Sequence, residues 1–332
     1  MSTRLLFLIF ILYYQSIQLL ADSNSDSYEL GEGIQLGTLP IYVGGYISAD
    51  IYYRDDYIRY RLDDIAFLSY GSKGKFSYMA ELEFKDLYVN EQYEYNSSTH
   101  SDTQLHIERL YVDYALQDQV NLRIGKYNSP IGYWNMVPIN VLRETTSNPI
   151  TSYIIFPRFT TGVEINYQQY EEESFALEVS IQHNEDLDDE YNNYQIDEHY
   201  EVGIEYENGY FGIKLNGGYF HLYEQKQKRT YFLLAAKIED EQYQILAEVG
   251  SQYGENEFTT TYAGYLQGLY RITEHHIAIA RFESYQDTLE QDYSTLIGYT
   301  YRPLYPIALK GEYQIHSNSS KNAALFSFSV LF

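Results

Sequence analysis

The chain closes on Ala324-Leu-Phe-Ser-Phe-Ser-Val-Leu-Phe332. Side chains of an extended strand alternate between two faces, so Ala324, Phe326, Phe328, Val330 and Phe332 share one of them. At the edge of a soluble sheet such a strand invites aggregation. In a barrel closed across a membrane it pairs on both sides and turns its apolar face to lipid. The expectation is an all-β fold, an antiparallel transmembrane β-barrel.

The rest of the chain repeats the pattern in about sixteen alternating segments, each near the length that a tilted membrane strand requires. Clear examples are Phe76/Tyr78/Ala80/Leu82/Phe84, Phe175/Leu177/Val179/Ile181, Phe232/Leu234/Ala236/Ile238 and Tyr293/Thr295/Ile297/Tyr299/Tyr301. Short connections such as Gln117–Gln119, Glu207–Gly209 and Arg302–Pro306 alternate with longer ones such as Asp86–Gln104, Tyr127–Pro157 and Asn184–Glu198. That sidedness is expected of a membrane barrel with both termini in the periplasm, and a soluble sandwich has no reason to obey it. Residues 40–332 are thus expected to form one barrel domain.

Composition narrows the class. There is no Cys, which removes disulfides, thiolate metal sites and thiol nucleophiles. The 40 Tyr residues suit strand ends at a membrane interface, where an apolar ring carries a polar tip. A formal net charge of −25 offers no basic stripe for phosphates and argues against nucleic acid as a partner. Residues 1–21 read as a signal peptide, with Arg4, the apolar run Leu5–Tyr14 and Ala21 at the cleavage position. Residues 22–39 form an N-terminal leader too small to plug a wide bore. Asn184–Glu198 carries seven acids and reads as an outer loop, either hydrated or holding divalent cations among surface lipids.

A sixteen-strand barrel leaves an open channel unless something narrows it. The longest connection, Tyr127–Pro157, follows the fifth strand and contains Pro130, Gly132, Trp134, Asn135, Pro138, Arg143, Glu144 and Pro149, with a short helix expected around Ile139–Glu144. Folded inward, it would serve as the constriction loop. Parity then assigns the wall. On strand two, Ile58, Tyr60, Leu62, Ala66, Leu68 and Tyr70 are placed on the lipid face, although Asp64 breaks the pattern, leaving Arg59, Arg61 and Asp63 inward. Strand three offers Glu81 and Glu83. Strand four offers Arg109 and Asp113, with Leu105 and Ile107 out of phase, as a bulge would make them. Strand five offers Arg123, and strand six Arg158 and Glu164. Lumenal placement is favoured because a guanidinium on a lipid face costs about 2–4 kcal/mol at midplane. A row of Arg facing Glu81, Glu83 and Glu144 would set a transverse field and bind anions; alternatively these charges pair among themselves and stiffen the wall.

Two resemblances bear on this reading. The terminal strand resembles the C-terminal signature of bacterial outer-membrane barrels, which implies Phe332 as the signal read by the barrel-assembly machinery. The loop's place after the fifth strand resembles that of general porins. The passage Leu122-Arg-Ile-Gly-Lys-Tyr-Asn-Ser-Pro-Ile-Gly-Tyr-Trp-Asn135 resembles porins related to the phosphate-selective group. These resemblances imply a Gram-negative outer-membrane porin in contact with outer-membrane lipids. Such a porin assembles as a homotrimer, uses no cofactor and passes small hydrophilic solutes and ions passively. The acid-rich, Gly-rich constriction sequence of general porins is not present. Anion or phosphate selectivity through the Arg cluster is the alternative within that class.

Outside it stand a barrel hydrolase and an adhesin. His183 with Glu185 and Asp186, or His199 with Asp197, would imitate an acid–base group, but neither comes with a recognisable nucleophile. The turn pair His275-His276 lacks a third metal ligand. No catalytic or metal site is therefore expected.

Overall fold

The computed structural model describes residues 28–169 and 173–332. Sixteen strands form one closed antiparallel barrel. They are β1 (Ile41–Arg54), β2 (Tyr57–Lys73), β3 (Phe76–Tyr93), β4 (Leu105–Gln117), β5 (Val120–Asn128), β6 (Phe159–Gln169), β7 (Ser174–His183) and β8 (Ile196–Glu207), followed by β9 (Phe211–Leu222), β10 (Gln227–Glu239), β11 (Tyr243–Tyr253), β12 (Phe258–Thr273), β13 (His276–Asp287), β14 (Gln291–Leu304), β15 (Ile307–His316) and β16 (Ala323–Leu331). Each pairs with the next, and β16 returns to β1, so no edge is left unpaired. Phe332 completes the seam: its amide donates to the Gly45 carbonyl and its carbonyl accepts from the Gly45 amide, both at 2.8 Å. The signal peptide assigned to 1–21 lies outside the described residues. The leader enters them at Tyr28, and its Ile34–Gln35 pairs with Tyr42–Val43 on β1.

The outer face is the apolar one. Phe67, Ile124, Leu266, Phe282, Ile297 and Phe326 all stand exposed there, as side chains destined for lipid must. Tyrosines mark both ends, among them Tyr210, Tyr270 and Tyr305 at the short turns and Tyr53, Tyr93 and Tyr293 at the other rim. Many inner positions are polar, and many of them are buried by what fills the bore.

Two bulges alter the parity read from sequence. The β2 register shifts between Ile47 and Ala49 on β1, and between Leu62 and Asp64 against β3. Asp63 and Asp64 both turn inward as a result, and beyond them Ala66 and Leu68 are buried inside while Phe67 meets lipid. The lipid-face assignment of Ala66, Leu68 and Tyr70 is thereby corrected. The bulge expected on β4 is present at Glu108, which makes Glu108 and Arg109 consecutive inward side chains. Each bulge adds one lumenal carboxylate to the same patch of wall.

Residues 129–158 run inside the barrel, interrupted by turns of 3₁₀ helix at Trp134–Met136 and Asn140–Leu142 and one helical turn, Thr151–Ile154. The short helix expected around Ile139–Glu144 is reduced to the second of these. The shorter acidic connection, residues 184–195, also turns inward. This corrects its reading as a hydrated outer loop.

Candidate functional site

The long loop is fastened across the lumen to the wall opposite its own strands. Gly132 N donates to Asn216 Oδ1 on β9 at 3.1 Å, and Tyr133 N and Trp134 N donate to Glu248 Oε1 on β11 at 2.7 and 3.0 Å. Gln252 Nε2 on the same strand holds the Ile154 and Ile155 carbonyls at 3.1 and 3.0 Å. Arg302 on β14 takes both Glu144 oxygens at 3.1 Å. On β15, Lys310 Nζ donates to the Asn140 carbonyl at 2.5 Å, and Glu312 accepts from the Thr146 and Ser147 amides. Carboxylates receiving two backbone N–H groups make strong fixed anchors. Ile131, Ile155 and Phe156 then pack on Phe220 and Leu233 to make an apolar core within the barrel.

Filling that half leaves a cavity of ≈ 530 Å³ between the loop and the wall β1–β4, flanked by β13–β16. Arg59, Arg61 and Asp63 line it, as does Glu83. Arg143 reaches it from the loop, and Arg158 from the root of β6. Five of the residues assigned to the pore wall pair away from the cavity. Arg109 is bound to the buried Glu81. Arg123 pairs with Asp113 at 2.8 Å, lies 3.9 Å from Glu164 and stacks over Tyr111 at 4.1 Å. These charges are paired within the wall and do not line this cavity. Glu144 is taken by Arg302, so it does not face the Arg row. Pro130 and Asn135 are fastenings too: the Pro130 carbonyl accepts from Asn216 at 3.0 Å, and Asn135 Nδ2 donates to the Ser129 and Arg158 carbonyls. Trp134 is buried with the guanidiniums of Arg143 and Arg281 each 5.7 Å from its ring.

Several lining residues were not singled out from sequence. Asp50 on β1 holds Arg61 at 2.5 Å and Arg59 at 3.5 Å. Simple parity along β1 would have found it. Asp64 and Glu108 were concealed by the bulges, and Tyr191 by the acidic loop. Arg281 sits on a strand whose Ile277 and Ile279 also face inward, which blurs the alternation. The histidines pair differently from the sequence reading. Asp197 meets His221 at 2.7 Å, whereas His199 lies buried between Thr160 Oγ1 and Tyr231 OH with no carboxylate beside it. Among the described residues no group of three or more acids and histidines is placed to hold a metal ion.

Residues 70–231 match the family model "phosphate-selective porin O and P", a span that includes both inward loops, with Arg143 and Arg158. The chain is an outer-membrane porin. Solved structures share its fold at low identity. OmpT of Vibrio cholerae, as a loop L8 deletion mutant, has a TM-score of 0.62 at 10% identity, covering 88% of this chain and 99% of that one. An anion-selective porin from Comamonas acidovorans gives 0.60 at 9%, covering 88% and 99%. The channel DcaP of Acinetobacter baumannii gives 0.56 at 10%, covering 88% and 97%. No curated protein matches the sequence. The family and these neighbours are channels rather than enzymes, and the porin is a diffusion channel of the outer membrane.

Its charges are not spread evenly. Among the arginines lining the cavity, Arg54, Arg59, Arg61 and Arg281 each have a carboxylate partner. Arg143 and Arg158 form no ion pair among the described residues. The Arg143 guanidinium bonds instead to Asn148 and to the Pro138 carbonyl, and Arg158 lies over the Phe159 ring at 5.5 Å. Burial and the neighbouring Arg158 both lower the pKa of Arg143, as two cations sharing a site should. Facing them are Asp63, Asp64, Glu83 and Glu108, of which Asp63, Glu83 and Glu108 are buried.

Proposed function

We propose that the porin favours small hydrophilic anions, with Arg143 and Arg158 as the residues that attract them. The observation that carries this is their lack of carboxylate partners inside the cavity, while the wall arginines are neutralised. Paired charges contribute little net field, whereas two guanidiniums without a carboxylate partner keep their charge for carboxylate or phosphate oxygens. The chain's overall negative charge does not oppose this, because distant loop charges are screened beyond about 10 Å in ~0.1 M salt. Arg59, Arg61 and Asp63 belong to the lining but act chiefly as a fixed dipolar wall. Homotrimeric assembly and delivery through the C-terminal strand to the barrel-assembly machinery are part of the same reading.

The test is the reversal potential of the purified porin in a planar bilayer across a KCl gradient. The expected sign is that of an anion-preferring channel. Arg143→Ala with Arg158→Ala should lower the anion-to-cation permeability ratio by roughly tenfold, equivalent to about 1.4 kcal/mol. A cation-preferring wild type would instead hand control to the bulge-borne carboxylates Asp64 and Glu108. Failure to conduct at all, from inserted protein, would remove the reading altogether.

A further inference from the structure

We propose that the acidic loop between β7 and β8 is a second constriction element, and that Tyr191 at its tip sets the size limit of the channel. The inference rests on the diffusion-channel reading, not on the sign of selectivity. Tyr191 is one of the cavity's lining residues. Its hydroxyl donates to Glu83 Oε2 on β3 at 2.5 Å and lies 3.2 Å from Glu108 Oε2 on β4. Its ring sits 5.3 Å from Lys85 Nζ and 5.5 Å from the rings of His106 and Phe159. A large, rigid side chain thus projects from the β5–β8 side to the β3–β4 wall, beside the route that the long loop leaves open.

The loop behind it is bolted down on three strands. Lys126 of β5 has no exposed side-chain surface, pairs with Asp186 at 3.1 Å and donates to the Asp188 carbonyl at 2.5 Å. Asp188 accepts from Ile107 N at 2.8 Å and stands 3.2 Å from His106 Nδ1. Thr161 Oγ1 of β6 donates to Asp186 at 2.6 Å. The loop also locks to the first constriction element, since Asn193 Nδ2 donates to the Tyr153 and Phe156 carbonyls at 3.0 and 2.9 Å. A merely solvated acidic loop would need none of these bonds. Their sum is a fixed arm, and Tyr191 is the part of it that a passing solute meets.

Single-channel recording with solutes of graded size tests this. Tyr191→Ala should raise conductance about twofold and admit larger neutral sugars in liposome swelling, while Tyr191→Phe, which keeps the ring, should leave both near wild type. Since the chain has no Cys, Tyr191→Cys supplies a unique thiol, and attaching a bulky thiol reagent should bring its enlarged conductance back down. Wild-type conductance with an unchanged Tyr191→Ala variant, folded by its gel-mobility shift on heating, overturns the inference and leaves the channel reading intact. If the alanine variant fails to assemble, a thiol that labels without changing current overturns it equally. A silent wild type would refute the channel reading on which the inference rests.

Discussion

At the scale of single residues, the interior is governed by the cost of burying charge. Lys126 and Asp186 are both sealed from solvent, and each is tolerable only because of the other. Lys126→Met should therefore destabilise the detergent-solubilised barrel by about 3–5 kcal/mol in urea unfolding, and Asp186→Asn made in the same chain should recover part of the loss. Two independent effects would instead add. The pair was not marked by sequence: Asp186 was read beside His183, and Lys126 was not singled out. Lys126 lies in Arg123-Ile-Gly-Lys126, where strand parity points Arg123 inward but Lys126 to the other face. Gly125 explains the inversion. Its φ of +134° lies where L side chains rarely go, and a Cβ there would stand 2.1 Å from the Leu110 carbonyl oxygen. The residue bends the strand end so that Lys126 turns into the bore. A lone Gly in a strand does signal such a bend, but not its direction.

Among elements, the strands were legible because lipid on one side and polar filling on the other enforce a period of two. The long loop was legible by position and by its Pro and Gly residues. Less legible was how it sits, because its anchors come from strands far along the chain: Asn216, Glu248, Arg302, Lys310 and Glu312. Charges such as Glu144 and Glu81 were expected to face solute for the same reason, since their partners Arg302 and Arg109 could only be matched in three dimensions. The anchors make a prediction of their own. Arg281 donates to the Ser147 carbonyl at 3.0 Å while Glu312 accepts from the neighbouring amides. Arg281→Ala with Glu312→Ala should release the Thr145–Ser147 turn, giving noisier single-channel current at a mean conductance raised by less than twofold. Quiet traces from the double variant would show that the remaining anchors suffice.

For the molecule as a whole, closure depends on one seam between the first strand and the last. Phe332 adds two hydrogen bonds to that seam beyond β16 and places its ring on the lipid side. Phe332→Ala should lower the assembled fraction several-fold, read as loss of the heat-dependent gel-mobility shift, while the protein that does assemble conducts normally. An undiminished yield would deny the terminal ring any part in assembly. The overall architecture was readable from the terminal strand outward. The two bulges were partly so, through Asp64 and Leu105 falling out of phase.

The far-wall anchors of the long loop also bear on the order in which the porin is made. Contacts so distant in sequence form late and slowly. The loop leaves β5 early in the chain, yet its Thr146–Ser147 turn is gripped by Glu312, on the next-to-last strand. The final hairpin carries part of the loop's mounting, so docking the loop is expected to coincide with zipping the seam. A mutation that loosens the loop should thus also slow the barrel's maturation.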